Sequence, residues 1–227
     1  MKMKMKMKSM YLLFFVISVT QHVHAEGYYI SGRYLTGNQY ADNMDTSLRP
    51  RVGNFIEVDK QDSLKRGAFA FGYMFDNHWQ LELEYNSKID SEYQTGSSRF
   101  TNSFNNYRVS SEKWMFNTYR TLPISEQFSI YGLAGLGLAK IKVGGWQRVE
   151  TNQFSANSQT NLVYALGTGM RIDVSKYIFV DLGYRYTGLG KVESGFNNFE
   201  NFSGLKDEQL KANLSEQEIF FGLTYKF

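Results

Sequence analysis

Apolar and polar residues alternate along most of this chain, and the two-residue period restricts its fold more than any other feature. The segment WQLELEYNSKI (79–89) places Trp, Leu, Leu and Tyr on one side of an extended chain, and Gln, Glu, Glu and Asn on the other. A period of two is typical of β-strands with two different faces. It predicts eight strands, near residues 28–34, 68–75, 79–89, 113–119, 128–143, 161–171, 177–187 and 218–227.

The segments between the predicted strands alternate in length. Short connections fall at 76–78, 123–127 and 173–176, whereas long polar connections fall at 37–66, 90–111, 144–159 and 188–214. Short turns at one rim and long loops at the other are the layout of a bacterial outer-membrane barrel. Because no apolar run reaches the roughly 18 residues of a membrane-spanning helix, a polytopic helical membrane protein is excluded.

The aromatic content indicates which strand face points outward. The chain has 18 Phe and 16 Tyr, and inward rows of such rings on nearly every strand would overfill a small soluble barrel. Facing outward, the same side chains form a belt in contact with lipid. We therefore predict an all-β fold, an eight-stranded antiparallel transmembrane β-barrel with four long extracellular loops and short periplasmic turns.

The N-terminal segment has the organisation of a secretory signal. Lysines at positions 2, 4, 6 and 8 precede the apolar run 10–19, and Val23 and Ala25 occupy the −3 and −1 positions of a cleavage site. We predict a signal peptide over 1–25, cleaved after Ala25, and an outer-membrane barrel over 26–227. Removing the four lysines changes the formal charge from +3 to −1, so no basic excess remains to indicate nucleic-acid binding.

Charged residues recur on the polar strand face, which a membrane barrel turns toward its lumen. An eight-stranded barrel is filled by its own side chains, and buried charges must be paired. We predict that two glutamates bind three arginines in the lumen, with an aspartate beside them. The six residues are Arg33, Glu82, Glu84, Arg171, Asp181 and Arg185. The network is either a gate or proton path, or a polar plug that satisfies itself, and we favour the plug.

The residue counts argue against catalytic and metal sites. The chain has no Cys and three His, of which His22 and His24 belong to the predicted signal. His78 falls in a predicted periplasmic turn, away from substrates at the cell surface, and no His or Cys cluster has metal-ligand spacing. An acid-only site of the omptin protease type belongs to barrels with more strands. We expect no enzyme activity, no cofactor and no metal.

The long loops are the predicted working surface, because loops on a rigid scaffold commonly carry binding residues. Their charges are largely balanced, so a solvated surface is the default interpretation. Arginine beside an aromatic ring nevertheless suits recognition of a sulfated sugar or a protein, through bidentate contacts and stacking. The candidate ligand-binding residues are Arg49, Arg51, Lys60, Lys65, Arg66, Arg99, Arg108, Trp146 and Arg148.

Several strands resemble a known family. EIFFGLTYKF (218–227) is similar to the C-terminal signature of outer-membrane barrels, which implies that the barrel-assembly machinery reads Phe227. The stretches 114–122, 130–143 and 164–195 resemble opacity-protein-like surface antigens, in particular the small enterobacterial adhesin/invasins of the Tia, Hek and PagN type. These are barrel motifs, so they specify the scaffold more strongly than the function.

The resemblance implies an outer-membrane adhesin or invasin whose extracellular loops bind host cells. Its ligand would be a glycan of heparan-sulfate type or a host surface protein. We expect a monomer in the lipid bilayer of the outer membrane. Two other functions stay open, a structural or serum-resistance barrel without an adhesive role, and a pore.

Overall fold

The computed structural model describes residues 26–46, 54–100 and 102–227, so the predicted signal peptide lies outside the described residues. The described chain forms nine β-strands: β1 (Gly27–Asp45), β2 (Phe55–Asp59), β3 (Gln61–Met74), β4 (Trp79–Ser97), β5 (Asn105–Pro123), β6 (Phe128–Gln147), β7 (Gln153–Asp173), β8 (Ile178–Glu193) and β9 (Lys211–Lys226). Among these residues, no helix has the length and apolarity to cross a membrane.

The strands close into an antiparallel barrel. β1 pairs with both β3 and β9, and β4 pairs with β5, so the hydrogen-bonded ladder returns to its start. The short β2 is separated from β3 by Lys60 alone, and both pair with β4, so β2 and β3 together count as one of eight barrel strands. Closure of the barrel lets every strand pair its backbone groups with two neighbours, which is required in a bilayer that contains no water. The predicted eight-stranded barrel is confirmed.

The strands are much longer than a membrane crossing needs. β6 has 20 residues and β7 has 21, whereas about 9–11 tilted residues span a bilayer. Much of each segment predicted as a loop is therefore strand. In the predicted loop 90–111, β4 continues to Ser97 and β5 begins at Asn105. The predicted tight turns at 76–78, 123–127 and 173–176 lie at the opposite rim, within one or two residues of the strand ends.

Next to these tight turns, the outer wall carries a belt of exposed apolar side chains. On β9 the belt runs from Ile219 to Phe227, a length that matches a membrane crossing. Corresponding outward residues on the other walls include Tyr28, Tyr34, Phe69, Phe71, Leu81, Leu83, Trp114, Phe116, Leu136, Leu138, Leu162, Leu166, Leu182 and Tyr184. Since lipid is as apolar as these side chains, the belt identifies the membrane-embedded part of the barrel.

Above the belt, on the side of the long connections, the polarity of the two strand faces is reversed. On β5, Arg108, Ser110 and Glu112 now point outward, while Tyr107 and Val109 are buried inside. The pairing of β5 with β6 runs without interruption from Asn105 to Pro123. The inward and outward positions of β5 therefore alternate without a bulge. The reversal arises because the sequence places apolar residues at outward positions in the lower part of the strand and polar residues there in the upper part.

The interior consequently has an apolar core in its extracellular half. Its buried residues come from most of the walls and include Ala41, Met44, Tyr93, Tyr107, Val109, Ile141, Val143, Phe154, Val163, Leu189, Val192, Leu210, Ala212 and Leu214. Below this core the lumen is filled by charged side chains and by a few rings such as Tyr119, Tyr131 and Phe220. The upper half is thus built like a soluble barrel, with its apolar residues inside.

This architecture predicts the effect of truncating a side chain of the upper core. Ile141→Ala should lower the free energy of unfolding by about 2–5 kcal/mol, because Ile141 is fully buried and its removal leaves a cavity. Thr160→Ala, at an outward position on the adjoining strand, serves as the control and should change it by less than about 0.5 kcal/mol. Urea unfolding in detergent micelles measures both, and equal effects would contradict a packed upper core.

Candidate functional site

Five basic and five acidic side chains that pair with one another are buried in the lower lumen, so the formal charges of this set cancel. The ten residues are Arg33, Arg66, Lys113, Arg171, Arg185, Glu82, Glu84, Asp181, Glu216 and Glu218, all of them at most 7% exposed. Buried ions are tolerated only when paired with good geometry. The balance indicates that the lumen has been filled by mutually compensating charges.

The pairs form a continuous chain across the barrel. Arg33 binds Glu84 and also Glu82, with 2.6 Å between Arg33 Nη2 and Glu82 Oε2. Arg185 Nη1 lies 2.6 Å from Glu84 Oε1, and its Nη2 lies 2.9 Å from Glu218 Oε2. Two arginines thus bridge three glutamates that come from two opposed parts of the wall, β4 and β9.

The upper end of this chain lies against the apolar core. Lys113 binds Glu216 and places its Nζ 3.3 Å from Glu218 Oε2. Arg66 binds the same two glutamates, with 3.4 Å between its Nε and Glu218 Oε1. Gln39 donates to Glu216 Oε1 at 2.8 Å. The network therefore ties β1, β3, β5 and β9 together.

Neutral donors complete the coordination of Glu82. The Tyr119 hydroxyl donates to Glu82 Oε1 at 2.8 Å, the Tyr29 hydroxyl donates to Oε2 at 3.0 Å, and Asn117 Nδ2 donates to Oε1 at 3.2 Å. A carboxylate that accepts this many bonds besides its arginine is well satisfied in spite of complete burial.

The six predicted lumen residues are all buried, but they divide into two groups. Arg171 pairs with Asp181, at 2.8 Å between Nε and Oδ1, and donates to Gln80 at 3.2 Å. Among the described residues it forms no ion pair with Glu82 or Glu84, so the expected contact of Arg171 with the glutamates is wrong. The prediction also missed Lys113, Glu216 and Glu218, although their parity along β5 and β9 places them on the inward face.

Arg66 is corrected from a surface ligand to a lumen residue. The predicted loop extends to position 66 and therefore includes this residue, whereas β3 begins at Gln61. Its side chain is inaccessible to solvent and is bound to Glu216 and Glu218. The alternation of β3, in which Leu64 is also buried, is the signal that would have placed it inside.

The extracellular tip holds a cleft of about 500 Å³ between the strand connections. Arg99 and Arg148 line it together with Phe100 and Phe202. The Arg99 guanidinium lies 5.9 Å from the centre of the Phe100 ring, and the Phe100 and Phe202 rings are 5.8 Å apart. Basic and aromatic groups from three connections thus meet at one surface.

Local backbone contacts fix part of this cleft. Arg148 adopts a positive φ of 61° directly after β6, and its backbone N–H donates to the carbonyl of Phe104 at 2.8 Å. The connection after β6 is thereby held against the connection that precedes β5. Arg148 is exposed and forms no ion pair with any described residue.

A second groove, of about 450 Å³, lies on the outer wall below the tip. Arg108 stacks over Trp146 at 4.5 Å to the ring centre, and its Nε lies 2.9 Å from Glu92 Oε1. The two predicted residues Arg108 and Trp146 are therefore brought together, but the guanidinium already has an acidic and an aromatic partner.

Two other sequence-predicted residues, Lys60 and Lys65, lie apart from the cleft. Lys60 binds Glu57 and Asp42, at 3.3 and 3.8 Å, and Lys65 points outward from β3 just above the belt. Arg49 and Arg51 lie outside the described residues. The backbone N–H of Phe227 donates to the carbonyl of Tyr28 at 2.9 Å, so the terminal residue lies where β9 meets β1.

Two buried tyrosines beneath the tip form hydrogen bonds that link β4 and β5 to β1. Burial raises the pKa of Tyr93 and Tyr107, both of which lie above the belt. Each phenol therefore stays protonated and can donate. The Tyr93 hydroxyl bonds to Gln39 Oε1 at 2.7 Å, and the Tyr107 hydroxyl bonds to the backbone carbonyl of Asp45 at 3.0 Å.

Comparison with known proteins identifies the family. The family model described as "Outer membrane protein beta-barrel domain" matches residues 9–227. The chain belongs to this family. As an outer membrane barrel, it places the tight turns in the periplasm and the tip cleft at the cell surface.

Individual relatives agree with this assignment. The chain is 27% identical to the outer membrane protein PagN of Salmonella typhimurium over 220 residues, which cover 89% of this chain and 90% of PagN. The resemblance stated from the sequence is thereby confirmed. Among solved structures, OprG of Pseudomonas aeruginosa has a TM-score of 0.59 at 13% identity, covering 88% of this chain and 96% of OprG.

One structural neighbour is an enzyme. The outer membrane protease OmpT of Escherichia coli has a TM-score of 0.51 at 9% identity, covering 88% of this chain and 97% of OmpT. A likeness at that identity shows the shared barrel fold alone. In this chain His78 lies in the periplasmic turn, with a φ of 66°, and the described residues contain no group of three or more His, Cys, Asp or Glu that could hold a metal ion.

The lumen network predicts a large cost for removing one of its cations. Arg185→Met should lower the free energy of unfolding by about 3–5 kcal/mol, because Glu84 and Glu218 would each lose a buried partner. Arg108→Met removes the same charge from an exposed pair and should cost much less. Urea titration of the two folded variants in micelles compares them, and an equal loss would show that the lumen pairs are not special.

Proposed function

We propose that this outer membrane barrel is an adhesin or invasin that binds host cells through the cleft at its tip. The ligand that suits the cleft is a sulfated glycan of heparan-sulfate type, with a host surface protein as the other candidate. The observation that carries the proposal is the meeting of Arg99, Arg148, Phe100 and Phe202 around one 500 Å³ space.

The chemistry of these side chains fits a sulfated sugar. A guanidinium offers a planar fork of donors that matches a sulfate or carboxylate, and aromatic faces pack against the apolar side of a sugar ring. Glu208, the acidic residue that lines the cleft, is only 7% exposed. With two arginines and one acid, the described lining has a formal excess of one positive charge.

The scaffold beneath the cleft favours a binding role. The upper apolar core and the buried tyrosines hold the strand ends that support Arg99 and Arg148. A site on rigid elements loses little conformational entropy when it binds. The resemblance to enterobacterial adhesin/invasins supports the same interpretation.

Adhesion can be measured directly. Expressing the protein in a non-adherent bacterium should increase the number of attached epithelial cells, and soluble heparin should reverse the increase. Arg99→Gln with Arg148→Gln should lower attachment on the order of tenfold, because two charge-assisted contacts are lost. Binding of cells equal to that of the empty strain would contradict the proposal.

A matched control keeps the charge change but moves it to the other rim. Arg120→Gln with Lys176→Gln removes two exposed positive charges beside the periplasmic turns and should leave attachment unchanged at equal surface expression. Survival in serum without any cell binding would instead favour the protective barrel. Attachment that heparin leaves intact, but that the cleft variant still reduces, would favour a host protein as the ligand.

A further inference from the structure

The connection between β8 and β9 extends their hairpin beyond the strand ends and closes in a turn. Its two arms are joined by backbone hydrogen bonds of 2.9–3.0 Å, from Ser194 to Leu210, from Asn197 to Glu208 and from Asn201 to Leu205. The turn at 201–205 therefore lies at the far end of this hairpin, on the extracellular side of the barrel.

Asn201 fixes the shape of this turn. Its backbone carbonyl accepts the N–H of Gly204 at 2.8 Å, and its side-chain Oδ1 accepts the N–H groups of Ser203 and Leu205 at 2.9 and 3.0 Å. Gly204 has a φ of 70°, a conformation that suits glycine. Because the turn is ordered before any partner arrives, binding costs it little conformational entropy.

The fixed turn holds two apolar side chains in solvent. Phe202 is 73% exposed and Leu205 is 48% exposed. The value for Phe202 is close to the 75% of Leu162, which lies in the lipid belt. Apolar side chains that an ordered, projecting turn leaves exposed mark a surface that another molecule covers.

The bilayer that holds the barrel is too far away to cover this turn. On β9 the lipid belt ends at Ile219, and the strand continues upward to Lys211. Eight residues of strand are about 26 Å long, and the turn lies beyond them. The covering molecule therefore belongs to an apposed surface.

Shape and charge around the turn favour a lipid surface. A projecting apolar turn can enter a bilayer without a complementary pocket, whereas a protein partner would have to supply one. The charges of the cleft lining and of segment 199–207 also balance, with three bases and three acids: Arg99, Arg148, Lys206, Glu200, Asp207 and Glu208. A balanced set of both signs suits headgroups that carry a phosphate and an amine, and does not select for an anionic membrane.

We propose that Phe202 and Leu205 insert into the zwitterionic phospholipid surface of an apposed cell. Aromatic rings are favoured at the boundary between headgroups and acyl chains, and binding of this kind gains strength from the apolar area that enters the bilayer. The contact is with lipid and not with glycan. It therefore adds to the adhesive role proposed above without depending on it.

Vesicles of phosphatidylcholine and cholesterol test the proposal against the folded barrel held in nanodiscs. Phe202→Ser/Leu205→Ser should lower vesicle binding on the order of tenfold, because it removes the inserted apolar area. Ile124→Ser/Val174→Ser removes side chains that are 50% and 63% exposed in the periplasmic turns, and it should bind vesicles as the original chain does. A heat-induced shift in gel mobility verifies that each variant is folded. Equal binding by the Phe202→Ser/Leu205→Ser variant and the original chain would overturn the proposal.

Fluorescence quenching reports whether the turn enters the bilayer. Phe202→Trp should keep vesicle binding and places an indole at the turn, so vesicles brominated on the upper acyl carbons should quench its emission. The emission of the original chain should change much less, because Trp79, Trp114 and Trp146 belong to strands of the barrel wall. Vesicle binding without added quenching would overturn the proposal.

Attachment to cells separates lipid from a protein partner. Leu205 does not line the cleft. If Leu205→Ser lowers attachment but leaves vesicle binding intact, the turn fits a pocket of a host protein and the lipid proposal is overturned. Because the vesicles carry no glycan, failure of the lipid tests leaves the adhesion proposal standing, and failure of the heparin competition leaves this one standing.

Discussion

A bilayer supplies no hydrogen bonds to a polypeptide, and the rest of this structure depends on that constraint. The backbone satisfies it by closing β1 onto β9, so that every wall pairs with two neighbours. Closure creates an interior too narrow to stay empty, which must then be filled by side chains whose polarity is opposite to that of the wall. Below the apolar core the interior is filled largely by five bases and five acids that pair with one another, together with a few aromatic rings.

The barrel continues beyond the lipid, and there the same constraint no longer applies. Water now surrounds the wall, so polar side chains such as Arg108 and Ser110 point outward and apolar ones such as Val109 and Ile141 pack inside. One continuous set of strands thus combines a membrane barrel with a soluble barrel. The soluble half raises the tip cleft above the membrane and holds its arginines on a packed core.

The sequence predicted the membrane half well and the extracellular half poorly, for one physical reason. A two-residue period with aromatic residues on the outward face located the belt strands and the burial of Arg33, Glu82 and Arg185. The extracellular parts of the strands keep the same period, but their outward residues are polar. A prediction that requires apolar residues on the outward face therefore ends each strand too early. Arg66 was misplaced on this account, since its inward parity is evident only once β3 is extended to Gln61. The meeting of Arg99 and Arg148 depends on contacts between distant connections, such as the bond from Arg148 to Phe104, which no local pattern shows.

The reversal of polarity along each strand can be measured by site-directed spin labelling, because the chain contains no native cysteine that would also take up a label. Single cysteines at Phe116 and Leu166 report on the belt, and single cysteines at Ser110 and Thr160 report on the outward wall above it. In lipid vesicles, the first pair should be relaxed mainly by oxygen, which concentrates in hydrocarbon, and the second pair mainly by a water-soluble nickel chelate. Equal relaxation of all four labels by oxygen would place the upper part of the barrel in lipid and contradict the reversal of polarity.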